Sequence, residues 1–195
     1  MTALPVQLAP QPQPMTAAEY AATPETPDHR FELQEGAVVM PARAVPAHQD
    51  ALAELSVQVR VQTPPHLKVL LEIDLDLHLV PPTQPGTVRV PDLVVVTREA
   101  FARVGRQGGL LRADDAVLAV ELHSTSTKRT DTVVKHSEYA DSGIGHYWMI
   151  DLLDGPSLTA CHHGGPFGYV DAEPVRGTFT ADAPFPVRLD LDQLG

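Results

Sequence analysis

The chain has 195 residues, 43% of them hydrophobic, which is enough for one domain with a sizeable core. Its longest apolar run falls far short of the ~20 residues a bilayer-spanning helix needs, so no transmembrane helix is expected. The formal charge of −11 weighs against tight, nonspecific binding of nucleic acid unless cations sit among the carboxylates.

Residues 1–14 hold four prolines and no charge, and read as a flexible tail ahead of one domain over 15–195. The first residues have neither a basic start nor a cleavable apolar stretch, so no signal peptide is expected and the cytoplasm is the default location. In "MTAAEYAA", Thr16 and Glu19 stand at capping-box spacing, which predicts a short helix. "TPETPDHR" is a loop. "FELQEGAVVMP" predicts a hairpin that turns at Glu35-Gly36. In "HQDALAELSVQVRVQ", Leu52, Leu55 and Val59 recur at helical spacing, and Pro64-Pro65 stop the helix. From Leu67 to Leu79 every odd position is apolar, while even positions include Lys68, Glu72, Asp74, Asp76 and His78. This period of two predicts one long strand with a bend or bulge near Asp74.

"TVRVPDLVVVT" predicts a second strand, apolar after Asp92. "EAFARVG" is a short helix and "DDAVLAVEL" a third strand. "DTVVKHSEYADSG" is a helix that Gly143 ends, and "GHYWMIDLL" is a fourth strand. "SLTACHH", "GYVDA", "VRGTF" and "PVRLDLD" are shorter strand-like pieces. The order predicts a mixed sheet with helices packed on it, α/β or α+β, with one crossover unit joining parallel strands near the middle. Cys161 is the single cysteine, so no internal disulfide and no cysteine-rich zinc site can form. Phosphate-cradling Walker loops and Gly-x-Ser-x-Gly elbows are absent from the sequence.

Two acids interrupt otherwise apolar strands: Asp92 and Glu121. Ionised carboxylates are almost never buried unpaired. If the two strands are neighbours, the acids meet at one end of the sheet, and with a backbone carbonyl they make a hard-oxygen site suited to magnesium. The next helix can then bring Lys135, one of only three lysines, over the same point. Asp131, Lys135, Glu138 and Tyr139 share one helical face, while Val133, Ser137, Ala140 and Ile144 lie towards another that is expected to face the sheet. Plainer readings stand beside these. Asp92 can be a strand-entry residue, Lys135 a solvated helix lysine, and Glu72, Asp74, Asp76 and His78 a solvated strand face. Adjacent His162 and His163 point to opposite faces of a strand and make a poor ligand pair. Neither Lys135 nor His123 is expected to anchor the core.

Together these residues resemble the PD-(D/E)XK nuclease superfamily. "VPDLVVV" matches its Pro-Asp, and "VEL" its second acid. Within it, the succession "RFELQEGAVVMP", "HQDALAEL", "VPDLVVV" and "VELHSTSTKRTDTVVKHSEYADSGIGHYWMID" is similar to the Uma-type restriction endonucleases, a bacterial family. The resemblance implies a restriction-endonuclease-like core. It further implies magnesium, with manganese as a substitute, held by Asp92 and Glu121, together with DNA as substrate and a homodimer as the working unit. The superfamily's lysine belongs at position 123, where this chain has His123; in the Uma-type family it comes from the next helix, which maps to Lys135. Thr125 also stands where a proline is common. Glu32 corresponds to an acid the family carries in the hairpin, and is a candidate further ligand or else a surface charge. His48 is an accessory candidate or a hydrogen-bonded histidine of the helix, and His123 a candidate for orienting a metal-bound water. The alternative is a degraded nuclease fold kept for protein binding or regulation, which the −11 charge and the missing lysine at 123 favour.

Overall fold

The computed structural model of the protein describes residues 13–24, 31–41, 45–123 and 130–195, with the backbone alone described at 130–132. Nearly all of the expected tail, most of the "TPETPDHR" loop, the Ser/Thr turn after His123 and the Asp131 side chain lie outside the described residues.

The chain opens with α1 (Ala17–Ala21) and the hairpin of β1 (Glu32–Gln34) and β2 (Ala37–Val39). The capping box forms: Thr16 N donates to Glu19 Oε2 at 2.8 Å and Glu19 N to Thr16 Oγ1 at 3.2 Å. Glu35 and Gly36 both take positive φ, 48° and 80°, as a two-residue turn between twisted strands requires. Next comes α2 (Pro46–Gln62), with proline in its first turn, where no helical N–H is lost. It buries Ala51, Leu52, Leu55 and Val59.

The period-two stretch is two strands. β3 (Leu67–Leu71) and β4 (Leu75–Asp76) belong to different sheets, and Glu72 between them has φ 50°. The returning chain divides at the same level: β5 (Val88–Arg89) pairs antiparallel with β4, and β6 (Leu93–Thr97) with β3. Glu72 N donates to the Asp92 carbonyl at 3.1 Å, so the two breaks face each other. Pro91 has no N–H to continue a ladder. A bent ribbon therefore passes from one sheet into the other, with Asp92 at its bend. Alternation persists but serves two cores. Leu67 and Val69 pack with α2, Leu75 and Leu77 join a second cluster, and Ile73 at the bend is exposed.

The rest runs through α3 (Arg98–Gln107), β7 (Leu111–Arg112), β8 (Ala116–His123), a π-helical turn over Thr130–Lys135, α4 (His136–Asp141), β9 (His146–Asp151), β10 (Ser157–His163), β11 (Tyr169–Asp171), β12 (Val175–Arg176), β13 (Thr178–Ala181) and β14 (Val187–Asp190). Among the described residues the larger sheet has the order β11-β10-β9-β8-β6-β3, with β12 also on β10, and the smaller one β2-β1-β5-β4-β7. β13 and β14 pair separately. The larger sheet is mixed: β6 and β8 are antiparallel, while β8 and β9 are parallel across the expected crossover through α4. One face buries Leu55, Leu118, Trp148 and Leu189 against α2 and the β13–β14 pair. The other buries Val94, Ala119, Tyr139 and Tyr147 under α3 and α4. Burial on both faces explains why β6 reads as an unbroken apolar run.

The helical stretch around Lys135 presents a different face from the one its spacing suggests. Val133 and Ser137 are exposed, while Lys135 and Tyr139 are buried beside Ala140 and Ile144. A π-helical turn bonds i to i+5, so it spreads each turn over more residues than an α-helix does. Positions before and after Lys135 consequently do not line up at 3.6-residue spacing.

Candidate active site

β6 and β8 pair with Leu93 opposite Val120. One step further along the ladder, the bend at Asp92 meets Glu121 and Leu122. Leu122 N donates to Asp92 Oδ2 at 2.7 Å, and Asp92 Oδ1 lies 3.1 Å from His48 Nε2 on α2. Glu121 alternates with Val120 and Leu122, so it leaves β8 on the α4 side. There Lys135 Nζ donates to Glu121 Oε1 at 2.9 Å, and the Tyr139 hydroxyl donates to the same oxygen at 2.8 Å.

Lys135 Nζ also lies 3.1 Å from Glu32 Oε1. Glu32 arrives from the smaller sheet, where Leu33 of β1 pairs with Val88 of β5. Its Oε1 accepts from Val90 N at 3.1 Å and its Oε2 from Arg89 Nη1 at 2.9 Å. Arg89 turns its other two nitrogens to α4, donating from Nε to Glu138 Oε2 and from Nη2 to Glu138 Oε1, both at 2.7 Å. This is the planar fork that only a guanidinium supplies. Glu32, Glu121 and Lys135 are 4%, 3% and 6% exposed. Lys135 is therefore not a solvated helix lysine, and Glu32 is not a surface charge of the hairpin.

Ionisation follows the contacts. Burial pushes the Glu32 carboxyl up, but Lys135, Arg89 and the Val90 amide outweigh it and hold it below the ordinary carboxylate value. Burial tends to strip the Arg89 charge, and the bonds to Glu138 and Glu32 more than restore it. Burial, then the neighbouring Glu121 charge, pushes the Tyr139 hydroxyl up, so it remains a proton donor.

The structure thus brings Glu32, Glu121 and Lys135 into one chain of contacts, and joins the Asp92–His48 pair to it through the β6–β8 ladder. His123 ends β8 opposite Asp151 of β9; it is buried and lies two residues from Glu121, on the same strand face. Arg89 was not singled out from the sequence. Its signal was the one that marked Asp92 and Glu121: a charge inside an apolar run, here "TVRVPDL".

Asp92 and Glu121 present carboxylate oxygens from neighbouring strands, the hard donors that magnesium and manganese take. Counted as ionised, Glu32, Asp92, Glu121 and Glu138 carry four negative charges against two positive ones on Lys135 and Arg89. One divalent cation balances that difference, so the donor set and the local charge both fit such an ion.

The mixed α/β fold is that of a crystal structure of a putative nuclease belonging to the DUF820 group, from Anabaena variabilis. The two agree with a TM-score of 0.68 at 16% sequence identity, over 93% of this chain and 97% of that one. No curated protein matches the chain. The Uma2 family, described as "Putative restriction endonuclease", matches residues 17–191, and the chain belongs to that family. Among the described residues, no helix is long and apolar enough to cross a membrane.

Proposed function

We propose that the protein is an endonuclease that hydrolyses DNA phosphodiester bonds with magnesium, or manganese in its place, and that it works as a homodimer. The observation that carries this reading is the seat of Lys135: it is buried and bonded to Glu121, one ladder step from Asp92. Membership of the Uma2 family supports a nucleic-acid substrate. Held by Asp92 and Glu121, the ion would lower the pKa of a bound water and offset charge on the phosphate.

The side chains around it have separate tasks. Lys135 carries its positive charge towards the reacting phosphate, where negative charge grows in the transition state, or positions the attacking water. Glu32 and Tyr139 fix the ammonium and the Glu121 carboxylate in direction. His48 and the Leu122 amide do the same for Asp92, as outer partners do for ligands generally. His123 is a secondary candidate for orienting the water. The homodimer rests on the superfamily resemblance, since two strands of a duplex call for two sites.

A second reading, a nuclease fold retained for protein binding, is favoured by the −11 charge and by His123 at the superfamily's lysine position. Cleavage of duplex DNA and of RNA at low salt, with magnesium or manganese, separates the two. The wild-type protein should cut DNA, and Asp92→Asn and Glu121→Gln should not. Lys135→Ala should lose ~100-fold or more, the scale of one transition-state donor. His123→Ala should lose far less and keep the low-pH limb of its rate profile. Abolition by His123→Ala with tolerance of Lys135→Ala would move the role to His123. A wild-type protein inert on every substrate with either metal would favour the second reading.

A further inference from the structure

His136 follows Lys135 but faces another neighbourhood. Its Nε2 lies 2.8 Å from Oδ1 of Asp171 on β11. Cys161 on β10 is the cross-strand partner of Asp171, so the two side chains leave the same face of the sheet. One ligand-type atom from each of His136, Cys161 and Asp171 falls within 4.8 Å of the other two. The Cys161 residue is 1% exposed, while the Asp171 side chain is 47% exposed. Two rings hold the imidazole: Tyr169 edge-on at 5.3 Å and Tyr147 edge-on at 6.2 Å between centroids. A thiol, an imidazole and a carboxylate from three separate elements are a borderline-soft donor set, unlike the hard oxygens of Asp92 and Glu121.

We propose that His136, Cys161 and Asp171 form a second cation site, for zinc or a divalent transition metal of similar softness, which clips the start of α4 to β10 and β11. Tetrahedral ligands at zinc bond lengths stand about 3.3–3.7 Å apart, so the 2.8 Å His136–Asp171 pair needs to open by only a few tenths of an ångström. Three protein ligands leave a fourth position for water, on the side where Asp171 meets solvent. His136 sits at the junction of the π turn and α4, immediately after Lys135. The clip would therefore fix the helix start from which Lys135 reaches Glu121. It does not depend on the nuclease reading, because ligands, metal class and readout all differ.

Cobalt(II) titrated into the full chain tests it. One equivalent should raise a thiolate-to-cobalt charge-transfer band in the near ultraviolet, and zinc should bleach it. Cys161 is the chain's only cysteine, so the band reports this site alone. Cys161→Ser should abolish the band. His136→Gln and Asp171→Asn alter partly exposed residues and should fold; each removes a direct ligand and should weaken cobalt binding by about 100-fold or more, at or beyond the upper end of what losing an outer partner costs. Zinc should raise the wild-type Tm by more than it raises those of the variants. Saturating cobalt without a charge-transfer band in the folded protein would overturn the proposal. So would a band whose affinity is the same in His136→Gln and Asp171→Asn, since the thiol would then bind metal alone.

Discussion

The Leu122 amide donates to Asp92 Oδ2 at 2.7 Å, and this bond ties the bend of the ribbon to the strand that carries Glu121. The other Asp92 oxygen meets His48. A carboxylate held from two sides surrenders little further freedom when it takes up a cation.

Asn at position 92 keeps the shape and an acceptor for the Leu122 amide. Without metal, Asp92→Asn is expected to unfold within about 1 kcal/mol of wild type in a urea titration. Millimolar manganese should raise the wild-type Tm and leave that of Asp92→Asn unchanged. A wild-type melting curve indifferent to manganese would remove the metal site at Asp92 and Glu121.

Lys135 is a core residue in this fold, and so is His123, contrary to the expectation that neither anchors it. Lys135→Ala leaves Glu121 and Glu32 without their shared countercharge, at an expected cost of about 3–5 kcal/mol. Its kinetics therefore need a temperature at which circular dichroism shows it folded. The double variant Lys135→Met/Glu121→Gln should regain much of that stability and none of the cleavage. A double-variant cost equal to the sum of those of Lys135→Met and Glu121→Gln would mean that the Lys135–Glu121 pair is not coupled.

Arg89 binds Glu138 with a two-pronged contact and Glu32 with its remaining nitrogen. Lysine keeps the charge and loses the fork. Arg89→Lys should destabilise by about 1.5–3 kcal/mol, the range for losing hydrogen bonds to charged groups. Urea unfolding of Arg89→Lys at wild-type stability would show that the charge alone suffices.

Glu32 ionises more readily in the folded protein than at the ordinary value of 4.5. A depressed carboxylate contributes its stability above the unfolded-state pKa and loses it as pH falls through the lower folded-state value. Wild-type stability should thus fall below about pH 4.5 more steeply than that of Glu32→Gln. Parallel curves from pH 5 to pH 2.5 would show that Glu32 carries no such linkage.

Asp92 and Glu121 were legible because a charge inside an apolar run has few places to go. The expected bend near Asp74 falls between Leu71 and Leu75, but alternation survives it and so hides that the two halves are strands of different sheets. Glu72 takes a left-handed φ at the break, and glutamate gives no local sign of adopting that conformation. Lys135 meets Glu121, but the sequence does not show its burial, because it ends a π turn whose winding no α-helical spacing rule anticipates. Glu32 came from family resemblance, since its partners lie in strands that sequence order does not place beside the hairpin.

The chain of charges that crosses both sheets has a consequence for folding. Glu32 and Arg89 are 57 residues apart in sequence, and Arg89 and Glu138 are 49 apart. Closing loops of that length costs entropy before any contact offsets it, and no isolated hairpin or helix contains both members of either pair. A nascent or partly open molecule carries these residues without their assembly. Substitutions in the chain of charges are therefore expected to accelerate unfolding while leaving the refolding rate nearly unchanged, the signature of contacts made after the transition state.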